Sequence, residues 1–167
     1  MSEKESRPVV VGVDGSPAAR AALRWAVEDA RRRGCRVDAV WAWHPDYGGM
    51  IGPLPAEVVL ALSPQTLEAA ARKALDAAVE GFEGVDVRPV LVEGDPRDVL
   101  VKASEEAELL VVGNRGHGTI VGAILGSVSA HCVHHASCPV VVIRAQKVEH
   151  TETPAEAAAP LTVGPLL

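Results

Sequence analysis

The stretch 109–129, LLVVGNRGHGTIVGAILGSVS, decides how this chain folds. It begins with the apolar run 109–112, which is typical of a buried strand. Glycines follow at 113, 116, 118, 122 and 126, and the polar residues of 127–129 then indicate the start of a helix. A strand, a glycine-rich loop and a helix N-terminus together place backbone N–H groups where they can bind an anion. The stretch therefore predicts a phosphate or nucleotide site, the alternative being a flexible surface loop.

The same alternation of strand and helix continues on both sides of this stretch. Helix starts are marked by Ser16-Pro17, Ser63-Pro64 and Asp95-Pro96, because a capping side chain followed by proline is typical of a first helical turn. Alternating strands and helices predict parallel pairing through right-handed crossovers, and hence a doubly wound α/β sheet with helices on both faces. The predicted strands are 8–14, 36–43, 85–92, 108–112 and 139–144.

Two strand ends carry the polar and glycine residues that a ligand site needs. In doubly wound sheets, ligands bind beyond the carboxyl ends of the strands, where the strand order reverses. The first strand ends in 12–16, GVDGS, and the fourth leads into the glycine loop. If these two strands are neighbours, Asp14 and Gly126 line one crevice. Asp14 is then an acceptor for a ribose or base, or an anchor for a metal on phosphates; the alternative is a turn residue before the first helix.

Three further side chains near the glycine loop are candidate phosphate ligands. The hydroxyl and N–H groups of Ser127 and Ser129 suit a phosphate, although the same geometry serves simple helix capping. Arg115 either supplies positive charge to a phosphate or is a solvated loop residue. The loop contains no lysine and the chain no GxxxxGK[ST] motif, so the P-loop mechanism of phosphoryl transfer lacks its cation. No GxGxxG follows the first strand, which disfavours a dinucleotide site.

Composition limits the remaining function classes. The 167 residues suffice for one domain, predicted at 7–145, between a flexible N-terminus at 1–6 and a disordered tail at 146–167. The net charge is −6 and no basic stripe with interleaved aromatics occurs, so nucleic acid is not an expected partner. No apolar run approaches the roughly 20 residues that span a bilayer, so no membrane partner is expected. Three cysteines without a CxxC pair fit the reducing cytoplasm.

The histidine- and cysteine-rich segment 131–138 suggests a metal site. His131 and His135 are four residues apart and would share a helix face. However, no HExxH motif and no paired CxxC spacing occurs in the chain. The prediction is therefore a helix with surface imidazoles and small buried thiols at Cys132 and Cys138, and no metal ligands.

At this point the glycine motif can be compared with a known family. The pattern Gly-x2-Gly-x9-Gly-Ser that begins at Gly113 resembles the ATP-binding class of the universal stress protein family. The segments 12–16, 41–45 (WAWHP) and 137–142 (SCPVVV) are similar to the family's first, second and last strands, so the resemblance covers about 7–145. It implies a Rossmann-like fold of the adenine nucleotide alpha hydrolase type, with five parallel strands in the order 3-2-1-4-5. It also implies a homodimer joined through the last strand, and ATP in the crevice, with or without Mg²⁺.

The resemblance also implies roles for individual residues. Asp14 would meet the ribose or the metal-linked phosphates, and the backbone of Val13 and Ala42 would meet the adenine. Val112 and Gly113 would border the ribose and phosphates. The implied phosphate contacts are Gly116, Gly126, Ser127, Val128 and Ser129.

Backbone amides and a helix dipole bind phosphate without a catalytic base, so such a site holds a nucleotide more readily than it hydrolyses one. The predicted function is an ATP-binding, nucleotide-holding regulator in stress response or signalling. The alternatives are a slow ATPase or adenylate-transferring enzyme on the same fold, and a sensor of another adenine nucleotide such as cAMP. The apolar last strand is expected at a sheet edge, which favours pairing with another chain independently of the family.

Overall fold

The computed structural model of the chain describes residues 6–44, 63–115 and 125–145. Within these residues the chain forms five strands and four helices, which alternate from the first strand to the last. The strands are β1 Val9–Gly12, β2 Val37–Trp43, β3 Val87–Glu93, β4 Leu109–Gly113 and β5 Val140–Ile143. The helices are α1 Pro17–Arg33, α2 Pro64–Val79, α3 Pro96–Ser104 and α4 Ser127–His135.

The strands form one sheet in the order β3-β2-β1-β4-β5, and every neighbouring pair is parallel. The predicted fold class and strand order are therefore confirmed. The order reverses between β1 and β4, because the chain fills one side of β1 first and then crosses to the other. This reversal is the point at which a doubly wound sheet offers a crevice beyond its strand ends.

The sheet is covered on both faces, which explains its continuous valine-rich strands. Val9 and Val11 of β1 pack into a core cluster with α1 and α2, whereas Val10 packs into a second cluster with Leu100 of α3 and Cys132 of α4. Valine, alanine and leucine suffice to fill these two thin layers. This accounts for a sequence with 48% apolar residues but only 3% aromatic ones.

The N-termini of the first three helices are closed by their own side chains, as the Ser-Pro and Asp-Pro pairs predict. Ser16 Oγ accepts a hydrogen bond from the Ala19 N–H at 3.1 Å, and Ser63 Oγ accepts one from the Thr66 N–H at 3.3 Å. Asp95 Oδ1 accepts a hydrogen bond from the Arg97 N–H at 2.8 Å. Each cap satisfies one of the four backbone donors that a helix start leaves unpaired.

Several element boundaries differ from the sequence predictions by one or two residues. β1 ends at Gly12 rather than at 14, and Gly15 turns the chain with a φ of 80°. β3 begins at Val87, the residue in register with Val37 of β2, rather than at 85. The predicted loop at 44–55 and the helical segment at 56–62 fall almost wholly outside the described residues, as do the tail at 146–167 and most of the N-terminal segment.

None of the helices in the described ranges combines the length and the apolar composition that crossing a bilayer requires.

Candidate functional site

A cavity of about 250 Å³ opens at the carboxyl ends of β1 and β4, where the strand order reverses. The N-terminal turns of α3 and α4 form its rim, through Pro96 and Ser127. The cavity brings together both strand ends that the sequence singled out. All predicted binding residues within the described ranges line it: Val13, Asp14, Ala42, Val112, Gly113, Arg115, Gly126, Ser127, Val128 and Ser129. Gly116 lies outside the described residues.

A turn directly after β1 positions Asp14 at the cavity wall. Asp14 Oδ1 accepts a hydrogen bond from the Ser16 N–H at 2.9 Å, and Ser16 in turn caps α1. Asp14 is therefore a turn residue and a cavity residue at once, so the two alternatives from the sequence are compatible. The turn fixes the orientation of one carboxylate oxygen, and this places a negative charge at a defined point of the wall.

The backbone of β2 extends past the end of β1. Val13 donates its N–H to the Val40 carbonyl at 2.9 Å, which uses the Val13 donor within the sheet. Groups on a strand face the same neighbour every second residue, so Ala42 directs its N–H and C=O to the same side as Val40. The chain after Val13 turns away at Gly15, so the Ala42 backbone faces the cavity rather than a continued β1.

The N-terminus of α4 differs from the other three in having no capping side chain. Its N-cap is Gly126, with φ −72° and ψ 166°, and the Gly126 carbonyl accepts the first helical hydrogen bond from the Ala130 N–H at 2.9 Å. The N–H groups of the first helical positions have no acceptor within a helix, so those of 127–129 are directed out of the helix end. The helix dipole adds partial positive charge at this point.

Two contacts fix the position of this helix end. Gly126 donates its N–H to the Asn114 carbonyl at 2.7 Å, which closes the loop back onto β4. The buried Ser129 donates its hydroxyl to the Gly113 carbonyl at 2.5 Å. The Ser129 hydroxyl proton therefore holds α4 to β4. Ser127, by contrast, has an exposed side chain at the mouth of the cavity.

Gly113 is required by a close approach of two elements. A Cβ at this position would lie 2.8 Å from the Ala18 backbone carbon and 3.0 Å from the Ala19 backbone nitrogen. These are backbone atoms in the first turn of α1, so they cannot move as a side chain would. The end of β4 therefore sits against α1 only because residue 113 is glycine.

The cavity wall is apolar and its charges are few. Val40, Leu100 and Val112 are buried and form the floor, and Asp14 and Arg115 are the charged side chains among the described lining residues. The lining by Gly12 and Ser16 agrees with the predicted strand end 12–16, whereas sequence reasoning missed the contributions of Ala19, Val40, Pro96 and Leu100. The Asp95-Pro96 pair signalled the start of α3, but only the three-dimensional strand order places that start beside the cavity.

The histidine- and cysteine-rich segment forms α4 and the turn after it. The rings of His131 and His135 lie with centroids 4.3 Å apart, so they share a helix face as the spacing predicts. Cys132 is fully buried, and burial raises the pKa of its thiol to about 11. Its thiol is thus protonated at neutral pH and serves as a core side chain. Across the described ranges, no three His, Cys, Asp or Glu side chains are grouped so as to hold a metal ion.

The model of the universal stress protein family matches residues 5–144 of the chain. Universal stress protein Rv2005c of Mycobacterium tuberculosis (strain ATCC 25618 / H37Rv) is 37% identical over 142 residues, which cover 85% of this chain and 47% of that protein. The chain thus spans about half the length of the curated relatives it matches.

Two solved structures extend the comparison to ligands. A universal stress protein in complex with cAMP is 28% identical, with a TM-score of 0.54, and the match covers 86% of this chain and 100% of that one. The universal stress protein from Archaeoglobus fulgidus in complex with dAMP is also 28% identical, with a TM-score of 0.51, and the match covers 83% and 98% of the two chains. Both ligands are adenine nucleotides.

Proposed function

We propose that this chain, which belongs to the universal stress protein family, holds ATP in the cavity at the ends of β1 and β4 and acts as a nucleotide-dependent regulator. The observation that carries the proposal is the pairing of an apolar floor with the uncapped N-terminus of α4 in one cavity. A nucleotide has this same division into a flat, weakly polar base and an anionic phosphate chain.

The phosphate chain belongs at the α4 end of the cavity. The N–H groups of 127–129 and the helix dipole favour an anion there, and Gly126 lets it approach the backbone without a side chain in the way. Arg115 lines the same end and adds a full positive charge. Ser127 adds a hydroxyl at the mouth of the cavity. Gly116, on the same loop, is proposed as a further phosphate contact.

The base belongs at the β2 end of the cavity. The N–H and C=O of Ala42 face this region, and they match the acceptor N1 and the donor N6 amino group of adenine. Guanine carries a donor at N1 and an acceptor at O6, so the same backbone pair would oppose it. The floor residues Val40 and Leu100 supply the apolar surface on which a base can rest. This arrangement supports adenine over guanine.

Asp14 is the residue that we assign to the sugar. Its carboxylate lines the cavity just after β1, and there it would accept from a ribose hydroxyl or hold Mg²⁺ on the phosphates. Asp14 is the only carboxylate among the described residues that line the cavity, and it is already bonded to the Ser16 N–H. We therefore propose retention of ATP rather than rapid hydrolysis, and a regulatory role in stress response or signalling in the cytoplasm.

We further propose that two copies of the chain associate through β5. This strand is an edge of the sheet that the structure describes, and Val140–Ile143 are apolar and half-buried. An apolar edge strand presents backbone donors and acceptors for pairing with another chain. Val133 on α4, a helix that contacts β5, is a large apolar side chain that is 48% exposed.

Calorimetric titration of nucleotide-free protein with ATP, AMP, cAMP and GTP, each with and without Mg²⁺, tests the proposal. We expect ATP to bind and GTP to bind at least ~10-fold more weakly, because a site with mismatched hydrogen-bond partners discriminates strongly. Tightest binding by cAMP would instead favour the sensor alternative. Steady-state phosphate release well above that of a binding-deficient variant would favour the ATPase alternative. The absence of binding by every adenine nucleotide would refute the proposal.

Arg115→Met and Arg97→Met form a matched pair for this titration. Both variants remove one guanidinium near the cavity rim, but Arg115 lines the cavity, whereas Arg97 is bonded to Asp95 outside it. We expect the first variant to weaken ATP binding by about 10-fold and the second to leave it unchanged, since a charge-assisted hydrogen bond contributes roughly 1.5–3 kcal/mol. Equal effects would show that only the general charge of the surface matters.

A further inference from the structure

The second half of α4 carries two imidazole rings in contact. His131 and His135 are four residues apart on the helix, so their side chains are neighbours on its surface. Their ring centroids are 4.3 Å apart, and the ring planes are tilted by 37°. The ring of His134 is further away, with its centroid 6.4 Å from that of His135. Neither member of the close pair is among the described residues that line the cavity, so the pair is free for a different ligand.

The backbone that carries this pair is held at both ends of α4. At the N-terminal end, Gly126 and Ser129 bond to carbonyls at the end of β4. At the C-terminal end, the Ser137 N–H donates to the hydroxyl of Ser104 at 2.9 Å, and Ser104 is the buried last residue of α3. Cys132 is fully buried, which fixes the face of α4 that packs inward. The two imidazoles therefore start from fixed backbone positions, and only their own torsions need to change when they bind a common ligand.

Imidazole nitrogens are ligands for divalent transition metal ions. Zn²⁺ lies about 2.0–2.1 Å from a histidine nitrogen, so two nitrogens on one ion are at most about 4 Å apart. Ring centroids 4.3 Å apart are compatible with this limit after a rotation of the exposed His135 ring. His135 is also the last residue of α4, where the helix dipole places partial negative charge that favours a cation.

The surroundings of the pair determine which kind of metal site it can form. Within the part of the chain that the structure describes, His, Cys, Asp and Glu side chains do not form a group of three that could hold a metal ion. A site closed by protein ligands alone, as in structural zinc sites, is therefore not available there. Asp95 on the adjacent α3 interacts electrostatically with His131, but its carboxylate is held by Arg97. Two imidazoles thus leave the remaining coordination positions to water or to a small ligand.

We propose that His131 and His135 together bind one divalent transition metal ion, Cu²⁺ more tightly than Ni²⁺ or Zn²⁺, at a site separate from the cavity. Imidazole suits these ions and the order is that of their general affinity for nitrogen ligands, whereas Mg²⁺ prefers oxygen. The spacing of the two rings exists only while α4 is helical, so the metal also stabilises the folded chain. The sequence analysis expected no metal ligands because three- and four-ligand motifs are absent, and a two-ligand site does not match such motifs.

The test is a titration of the tag-free, nucleotide-free full chain with Zn²⁺, followed through the NMR signals of the histidine rings. We expect the signals of His131 and His135 to shift together, with one dissociation constant, and those of His134 to shift less. Mg²⁺ should shift none of the three. Calorimetry with Cu²⁺, Ni²⁺ and Zn²⁺ then gives the order of affinity. Ring signals of His131 and His135 that respond at different Zn²⁺ concentrations would overturn the shared site.

His135→Asn and His134→Asn form a matched pair for the same titrations. Both variants replace an exposed imidazole in the last turn of α4 with the same amide, but only the first removes a proposed ligand. We expect His135→Asn to weaken Cu²⁺ and Zn²⁺ binding by at least ~10-fold, since even the loss of a hydrogen-bond partner of a metal ligand costs that much. It should also abolish the rise in Tm that the metal produces. His134→Asn should retain both the affinity and the rise.

The remaining outcomes are also decisive. Equal weakening in the two variants would show that the metal binds scattered surface histidines, and it would overturn the proposal. A parent chain that binds no more tightly than His135→Asn would do the same. If His135→Asn does not fold, the ring signals of the parent chain distinguish one shared ion from separate weak contacts. No nucleotide is present in these titrations, so none of the outcomes depends on the proposed function.

Discussion

The N-termini of α3 and α4 both border the cavity, yet they are built in opposite ways. At α3, Asp95 caps the helix and also holds Arg97 through two side-chain hydrogen bonds of 3.0 and 2.8 Å. At α4, Gly126 leaves the first backbone donors to whatever enters the cavity. One helix start is satisfied by the chain itself, and the other is the one at which we propose that a phosphate binds. In this proposal, the omission of a capping side chain specifies the binding site.

Adding a capping side chain to the uncapped start of α4 should have the largest effect on ATP affinity. In Gly126→Asp, the φ of −72° accommodates the new residue, and its carboxylate caps α4 while repelling phosphate. We expect ATP affinity to fall by roughly 100-fold or more, since like charges in contact cost several kcal/mol. The free energy of unfolding should rise by a few tenths of a kcal/mol.

Ser63→Asp is the matched control for that variant, measured by the same calorimetry and denaturant unfolding. It places the same carboxylate at the N-cap of α2, which is not among the helices that border the cavity. ATP affinity should not change there. If Gly126→Asp still bound ATP normally, the omitted cap would not define the site.

Gly113→Ala should have the next largest effect, because it disturbs the contact that holds α4 against β4. The added Cβ would meet the α1 backbone at 2.8 Å, and the displaced carbonyl would lose its bond from Ser129. We expect a loss of about 2 kcal/mol in the free energy of unfolding, measured with denaturant. In the control Gly12→Ala, the added Cβ meets the Leu100 Cδ1 atom, a side-chain end that can move, so the loss should be smaller. An equal loss in both would contradict this explanation.

Asp95→Ala removes the cap at the satisfied helix start. We expect a loss of about 1 kcal/mol in stability near neutral pH. Hydrogen bonds from Arg97 lower the pKa of the Asp95 carboxyl from 3.8 to about 2. Because the folded-state pKa is depressed, the stabilisation is complete from about one pH unit above 3.8 and is lost as the pH falls through about 2. Denaturant unfolding of both proteins across this range should show the two curves converging. A constant difference would assign the loss to packing rather than to the carboxylate.

Ser127→Ala should have the smallest effect on ATP affinity, and it separates the contribution of the hydroxyl from that of the backbone N–H groups. The exposed hydroxyl is removed, but the N–H groups of 127–129 remain. We expect a loss of about 2- to 10-fold in ATP affinity by calorimetry, the contribution of one ordinary hydrogen bond, with no change in stability. A loss as large as that of Gly126→Asp would mean that the hydroxyl, rather than the helix start, carries the phosphate.

Local patterns predicted the helices and strands because each helix start and each strand depends on a few adjacent residues. The Ser-Pro and Asp-Pro pairs mark α1, α2 and α3 at the positions found, and apolar runs mark all five strands. The order of strands in the sheet does not follow from such patterns, and it came instead from the family resemblance. For the same reason Pro96 and Leu100 were missed as cavity residues, since the crossovers bring α3 beside β1 and β4.

The role of Ser129 could not be predicted from the sequence either. A serine in the first turn of a helix after a glycine loop predicts a phosphate contact, and its backbone N–H remains in that position. Its hydroxyl, however, donates to Gly113, sixteen residues earlier in the chain. Such a long-range partner depends on how closely β4 and α4 approach, which only the folded chain shows.

The early end of β1 has a consequence for how this site could be altered. β2 continues to Trp43, whereas β1 stops at Gly12, so Ala42 has no register partner in β1. An adenine beside Ala42 would take the place of the two residues by which β1 falls short. The ligand would then complete the sheet rather than merely occupy a hole in it. Strand length is thus a design variable: a β1 extended over Val13 and Asp14 would close the site by backbone pairing with β2.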